Sequence, residues 1–121
     1  RMQEVLDRSY VSTGLARFDR ALAWAKLSLD ALVTNQGMRG IWAGLPWFND
    51  YWGRDSFISL AGATMWLGNF KAAREILLDF AAKQDTDTAS TYYGRIPNLI
   101  TPKETIYNTV DGTPRFVNAA W

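Results

Sequence analysis

The chain has 121 residues, 48% of them hydrophobic, which fits one domain or one piece of a larger domain and excludes a disordered polypeptide. Thirteen Lys and Arg against twelve Asp and Glu leave a formal net charge of +1, so no global field recruits nucleic acid or an anionic membrane surface. Cys and His are both absent, which excludes, within these residues, Ser-His-Asp and Cys-His nucleophile systems and zinc sites built from thiolate or imidazole, and leaves proton transfer to Asp, Glu, Tyr or Lys.

From Leu15 the apolar positions Leu15, Phe18, Leu22, Ala25, Leu29 and Leu32 step by three and four, with Arg17, Arg20, Lys26 and Asp30 elsewhere. This spacing predicts an amphipathic helix, capped near Ser12 or Thr13. A second helix is expected from about Asp55 or Ser56. It carries no charge between Ser56 and Phe70, and Phe57, Ile58, Leu60, Met65, Trp66 and Leu67 point in every direction, the pattern of a helix buried all round. Gly68 and Asn69 stop it, and a third helix follows from about Phe70 to Lys83, with Ala73, Ile76, Leu77, Phe80 and Ala81 on one stripe. Residues 84–93, QDTDTASTYY, read as an exposed polar loop in which Tyr92 and Tyr93 suggest contact with something. A fourth helix is predicted to start between Thr109 and Pro114. No strand run, repeat, membrane span or leader is visible.

The order amphipathic, buried, amphipathic, buried is what a double ring of helices produces, with one-faced helices outside and shielded ones inside. The expected fold class is therefore all-α, a fragment of an (α/α)6 double ring with about four helices present. On that reading residues 1–121 form the N-terminal part of one such domain, which continues past Trp121.

Residues 46–57, PWFNDYWGRDSF, gather Trp47, Phe48, Tyr51, Trp52 and Phe57 around Arg54 and Asp55. An isolated Arg-Asp pair at a helix start is ordinarily a cap with its ion-pair partner. The surrounding rings change that reading, because they cannot all be core beside a charged pair unless the pair faces a cavity, and sugar sites combine stacking faces with bidentate polar groups. Asn98, Asn108 and Asp111 form a second polar set on the next connection. Each alone reads as a turn or cap residue, but both sets precede the expected buried helices and so fall at one end. Asp55, beside Arg54 and a helix N-terminus, suits accepting hydrogen bonds from sugar hydroxyls better than donating a proton.

The stretches AGLPWFNDYWGRDSFISLAG, GNFKAAREILLDFA, RIPNLI and YNTVDGT, in order from about Phe18 to the chain end, resemble the amylo-alpha-1,6-glucosidase domain of glycogen debranching enzymes, a glucoamylase-like glycoside hydrolase family. The resemblance implies the double-ring fold and inverting hydrolysis of alpha-1,6-linked glucose at branch points of glycogen or limit dextrin. It also implies a glucose pocket gripped by Arg54 and Asp55 and lined by the motif aromatics Trp47 and Trp52. By the same resemblance the catalytic acid and base lie beyond Trp121. The substrate-binding set is therefore Trp47, Trp52, Arg54, Asp55, Asn98, Asn108 and Asp111. The expected partners are a branched alpha-glucan and the remainder of the parent domain, without nucleic acid, membrane, metal or cofactor, in a cytoplasmic setting. Two stretches depart from the family pattern: GTPRFV after Asp111, where the helix start is usually more apolar, and the longer loop at 84–93. Both bear on substrate preference near Asp111. The competing readings are another alpha-glucosidase or glucoamylase-type enzyme and a non-catalytic carbohydrate-binding helical module.

Overall fold

A computed structural model describes residues 1–121. The period read from Leu15 forms the helix Ala16–Leu32 (α2), preceded by a short helix, Met2–Arg8 (α1). Neither Ser12 nor Thr13 caps α2. Instead Asp19 in its first turn reaches back, its Oδ1 accepting from the Thr13 N–H at 2.9 Å and the Thr13 hydroxyl at 2.7 Å, and its Oδ2 from the Ser12 hydroxyl at 3.2 Å. These bonds hold the Asp19 carboxyl below the usual carboxylate range. Lys26 is buried on α2 and its ammonium donates to the Ser9 carbonyl just past α1. Arg1 and Arg8 both meet Asp30, closing the pair of helices.

The fold is not all-α. Five short strands, Val33–Asn35 (β1), Arg39–Gly44 (β2), Phe48–Trp52 (β3), Leu99–Ile100 (β4) and Thr105–Ile106 (β5), form one antiparallel sheet in the order β1-β2-β3-β4-β5. With five helices this makes a mixed α/β fold, and the expected all-α fragment of a double helical ring is overturned. Register runs through Val33 opposite Ile41, Tyr51 opposite Ile100 and Leu99 opposite Ile106. The strands escaped the period-two pattern for local reasons. Gly40 and Gly44 interrupt β2, and Pro46 sits in the turn to β3. Gly40 is required there because a Cβ would collide with the Tyr51 ring across the sheet. Strands β4 and β5 have two residues each, too few for any alternation.

Strand β3 runs straight into the uncharged helix Gly53–Leu60 (α3), which continues as a π-helical turn over Ala61–Met65. Ser56, Phe57, Leu60, Ala63, Thr64 and Leu67 are buried, while Ile58 is 60% and Trp66 78% exposed. Within this chain the helix is thus one-faced rather than shielded all round. Lack of charge means that no position resists burial, and does not by itself supply neighbours for both faces. Gly68, in the left-handed region at φ 70°, ends the segment, and Asn69 caps Phe70–Ala81 (α4) by accepting the Ala72 N–H at 3.3 Å.

Ala72, Ala73, Ile76 and Phe80 of α4 join the core. Phe57 meets Phe80 edge to face with ring centroids 4.8 Å apart, and Phe116 of the last helix, Gly112–Ala120 (α5), at 5.4 Å. Phe57 thus ties α3 to both α4 and α5, and the starts of α3 and α5 meet at one end through Arg54 and Asp111. No helix is long and apolar enough to cross a membrane.

Candidate functional site

The geometry of this end is set by Gly53. Its N–H donates to the Asn98 carbonyl at 2.7 Å, and a Cβ there would overlap the Pro97 carbonyl oxygen and lie 3.2 Å from the Phe57 ring and 3.3 Å from the Asn98 Cα. Only glycine lets the start of α3 approach the Pro97-Asn98 backbone so closely. Asn98 then joins further elements: its N–H donates to the Ile106 carbonyl at 2.8 Å and its Nδ2 to the Asn108 Oδ1 at 3.2 Å.

Arg54, in the first turn of α3, does not pair with Asp55. Its Nε donates to Asp111 Oδ2 at 2.9 Å and its Nη2 to Asp111 Oδ1 at 2.8 Å, a two-pronged contact across 57 positions of sequence. Arg115 adds a third bond, Nε to Asp111 Oδ2 at 2.9 Å. The hydrogen bond from Arg54, and after it that from Arg115, hold the Asp111 carboxyl far below the usual carboxylate range. The same bond to Asp111 raises Arg54. So held, Asp111 is an ionised acceptor and the latch between the starts of α3 and α5.

A pH dependence follows. A carboxyl whose pKa is lowered by folding contributes stability that is present above its unfolded value of 3.8 and is lost as pH falls toward the folded one. The urea midpoint of the protein should therefore exceed that of Asp111→Asn near neutral pH, with the gap shrinking below about pH 4. A gap that stays constant down to about pH 2 would remove Asp111 as the titrating group.

With Arg54 engaged elsewhere, the Asp55 carboxylate has no hydrogen-bond partner within the chain. It lines a cleft of about 360 Å³ with Ala43, Phe48 and Trp52. It also borders an adjoining cleft of about 250 Å³ that includes Trp42 and Ile58. The buried Nε1–H of Trp42 has no partner in the protein. One face of this end thus carries aromatic rings and an open acceptor. The largest cavity, about 770 Å³, lies instead between α1, α2 and β1, and its lining contains no aromatic ring.

The seven residues singled out in the sequence are distributed unevenly. Arg54 with Asp111, and Asn98 with Asn108, are joined directly. Trp52 and Asp55 share the cleft. Trp47 stands apart in the β2–β3 turn, 82% exposed. Asn98 is only 4% exposed and is a joint of the fold; its Oδ1 is buried without a partner. The expected partnership of Arg54 with Asp55 is corrected to Arg54 with Asp111, because the fork of a guanidinium fits a carboxylate facing it better than one on the next residue of its own helix. Tyr51 is core, 3% exposed, its hydroxyl donating to the Met38 carbonyl at 3.2 Å. Phe48, noted among the motif aromatics, lines the cleft, and Arg115 belongs to this end and was not singled out. The spacing of Arg115 four residues after Asp111 on a helix is the signal that could have found it.

The loop at 84–93 is fastened rather than free. Asp85 accepts from the Ser90 hydroxyl at 2.6 Å and from the Asp87 N–H at 3.0 Å. Tyr92 stacks on Tyr107 with centroids 6.1 Å apart, and the Arg95 guanidinium lies 5.3 Å from the Tyr92 ring. The contact suggested for Tyr92 is thus internal, while Tyr93 remains 60% exposed. Burial, and then the charge of Asp85, raise the Tyr107 phenol, whose hydroxyl donates to the Lys83 carbonyl at 2.7 Å. No three acidic side chains converge where a metal ion could sit.

The family model for amylo-alpha-1,6-glucosidase matches residues 18–120 of the chain. No solved structure matches it.

Proposed function

The chain belongs to the amylo-alpha-1,6-glucosidase family, and from that premise we propose that it supplies the glucose-binding part of an enzyme that hydrolyses alpha-1,6-linked glucose at branch points of glycogen-like glucans. Glycoside-hydrolase-related function follows from the family. The finer reading is supported by one observation: the rings of Trp52 and Phe48 share a cleft with a carboxylate, Asp55, that no group of the protein occupies. A pyranose offers an apolar face to a ring and hydroxyls at its rim to an acceptor, and this cleft meets both needs.

In this reading Trp52 stacks on the terminal glucose, Asp55 accepts its hydroxyls, and Asn108 with the Arg54-Asp111 latch borders the same end. Asn98 acts from beneath, by holding Gly53 and Asn108. Inverting hydrolysis needs one protonated carboxyl for the leaving oxygen and one ionised carboxylate to activate water. Asp111, held ionised by two arginines, is unsuited to the first task. As the family resemblance implies, both the acid and the base are assigned to residues other than these seven, in the remainder of a parent domain.

Replacing Trp52 with alanine tests the stacking role. In the intact natural protein it should raise KM for limit dextrin about three- to tenfold, the scale of one lost aromatic contact, with the far-UV circular dichroism unchanged. Unaltered kinetics in a normally folded variant would remove Trp52 from the sugar site.

A further inference from the structure

Resting on the reading of this end as a sugar site, we infer that Arg115 is a positioning residue that anchors Asp111 so that the fork of Arg54 stays on Asp111 and leaves Asp55 free for substrate. Arg54 has two carboxylates to choose from. Asp111 faces it across the gap between α3 and α5, and Asp55 is its neighbour on α3, close enough for its charge to act on Arg54. If Arg54 turned to Asp55, the one open acceptor on the aromatic cleft would be neutralised and its lone pairs occupied.

Arg115 biases that choice. Its Nε and the Arg54 Nε share Asp111 Oδ2, each at 2.9 Å, which fixes the plane of the carboxylate and turns Oδ1 to the Arg54 Nη2 at 2.8 Å. Arg115 can do this without moving, because it stands one helical turn after Asp111 and beside Phe116, whose ring packs on Phe57 of α3. Arg54, Asp55, Asp111 and Arg115 together carry no net charge, yet the pairing is unequal: three charges are used on one another and the fourth, Asp55, faces the cleft.

The test is a set of kinetic measurements on limit dextrin with the intact natural protein and its Arg115→Leu, Arg115→Lys, Asp111→Asn and doubly substituted Arg115→Leu/Asp111→Asn forms. Arg115→Leu should raise KM about three- to tenfold with kcat nearly unchanged, the scale of one partly exposed charge-assisted hydrogen bond. Arg115→Lys, which keeps a cation at that place, should recover most of the loss. The double variant should be no worse than Asp111→Asn alone, since Arg115 acts through Asp111. The side chains of Arg115 and Asp111 are 45% and 33% exposed, so none of these variants buries a new group or opens a core cavity. Wild-type KM in Arg115→Leu, a loss shared equally by Arg115→Lys, or losses that simply add would overturn the inference while leaving the sugar site in place. Wild-type kinetics in Asp111→Asn would instead overturn the sugar-site reading at this residue, and the inference with it.

Discussion

Replacing Gly53 with alanine should lower the melting temperature by about 4–12 °C, since overpacking of a close contact costs about 1–3 kcal/mol and each kcal/mol moves the midpoint of a domain this size by about 4 °C. The added methyl would overlap the Pro97 carbonyl oxygen and press on the Phe57 ring at 3.2 Å and the Asn98 Cα at 3.3 Å. Two of those three obstacles are backbone, so no side-chain rotation relieves them. The contact can open only by moving α3 away from the Pro97-Asn98 segment, which also stretches the Gly53 N–H bond to Asn98 at 2.7 Å. Gly62 is the control on the same helical run: a Cβ there meets nothing within 4 Å. Gly62→Ala should therefore leave stability unchanged or raise it by about 0.5–1 kcal/mol, the usual gain when glycine leaves a helix. Equal effects at both positions would mean that the Pro97 contact is not what demands glycine at residue 53. The substitution should also disturb chemistry, because Arg54 and Asp55 are carried by the turn that must move.

What was legible in the sequence tracks the range over which each interaction acts. Helices α2 and α4 were readable because their apolar stripes and the Gly68-Asn69 stop are written within a few residues. Helix α5 was expected to start between Thr109 and Pro114, and it starts at Gly112. The sheet was not readable. Gly40 exists because of Tyr51, eleven residues on and across the ladder, and in a one-dimensional reading it looks only like a break. The uncharged α3 was found, but its second face was assigned neighbours that this chain does not contain, as Ile58 and Trp66 make plain. At the candidate site, local composition sufficed to bring Arg54, Asp55 and the aromatics to notice. It could not say which carboxylate Arg54 would hold, because the answer lies 57 positions away in Asp111. The correction matters for function, since it changes Asp55 from a partnered residue to an open one.

Asp55→Asn is expected to reduce kcat about a hundredfold or more on branched glucan, on the scale of losing one preorganised contact to a charge-bearing transition state. The amide nearly matches the carboxylate in shape, so the cleft formed with Ala43, Phe48 and Trp52 keeps its outline. What is lost is negative charge and one acceptor, in a place where no protein donor competes for them. The size of this loss does not identify the role, because removing a general acid would cost as much. The leaving group does. A substrate such as an alpha-glucosyl fluoride leaves without needing a proton, so it rescues an enzyme that lacks its acid and does not rescue one that lacks a sugar-binding carboxylate. If Asp55 accepts glucose hydroxyls, Asp55→Asn should stay impaired on the fluoride by nearly the same factor as on glucan. Selective rescue would make Asp55 the proton donor. That outcome would fit the same open carboxylate equally well in position, because nothing in the chain bonds to it, and would reassign the cleft from gripping the sugar to protonating its leaving oxygen.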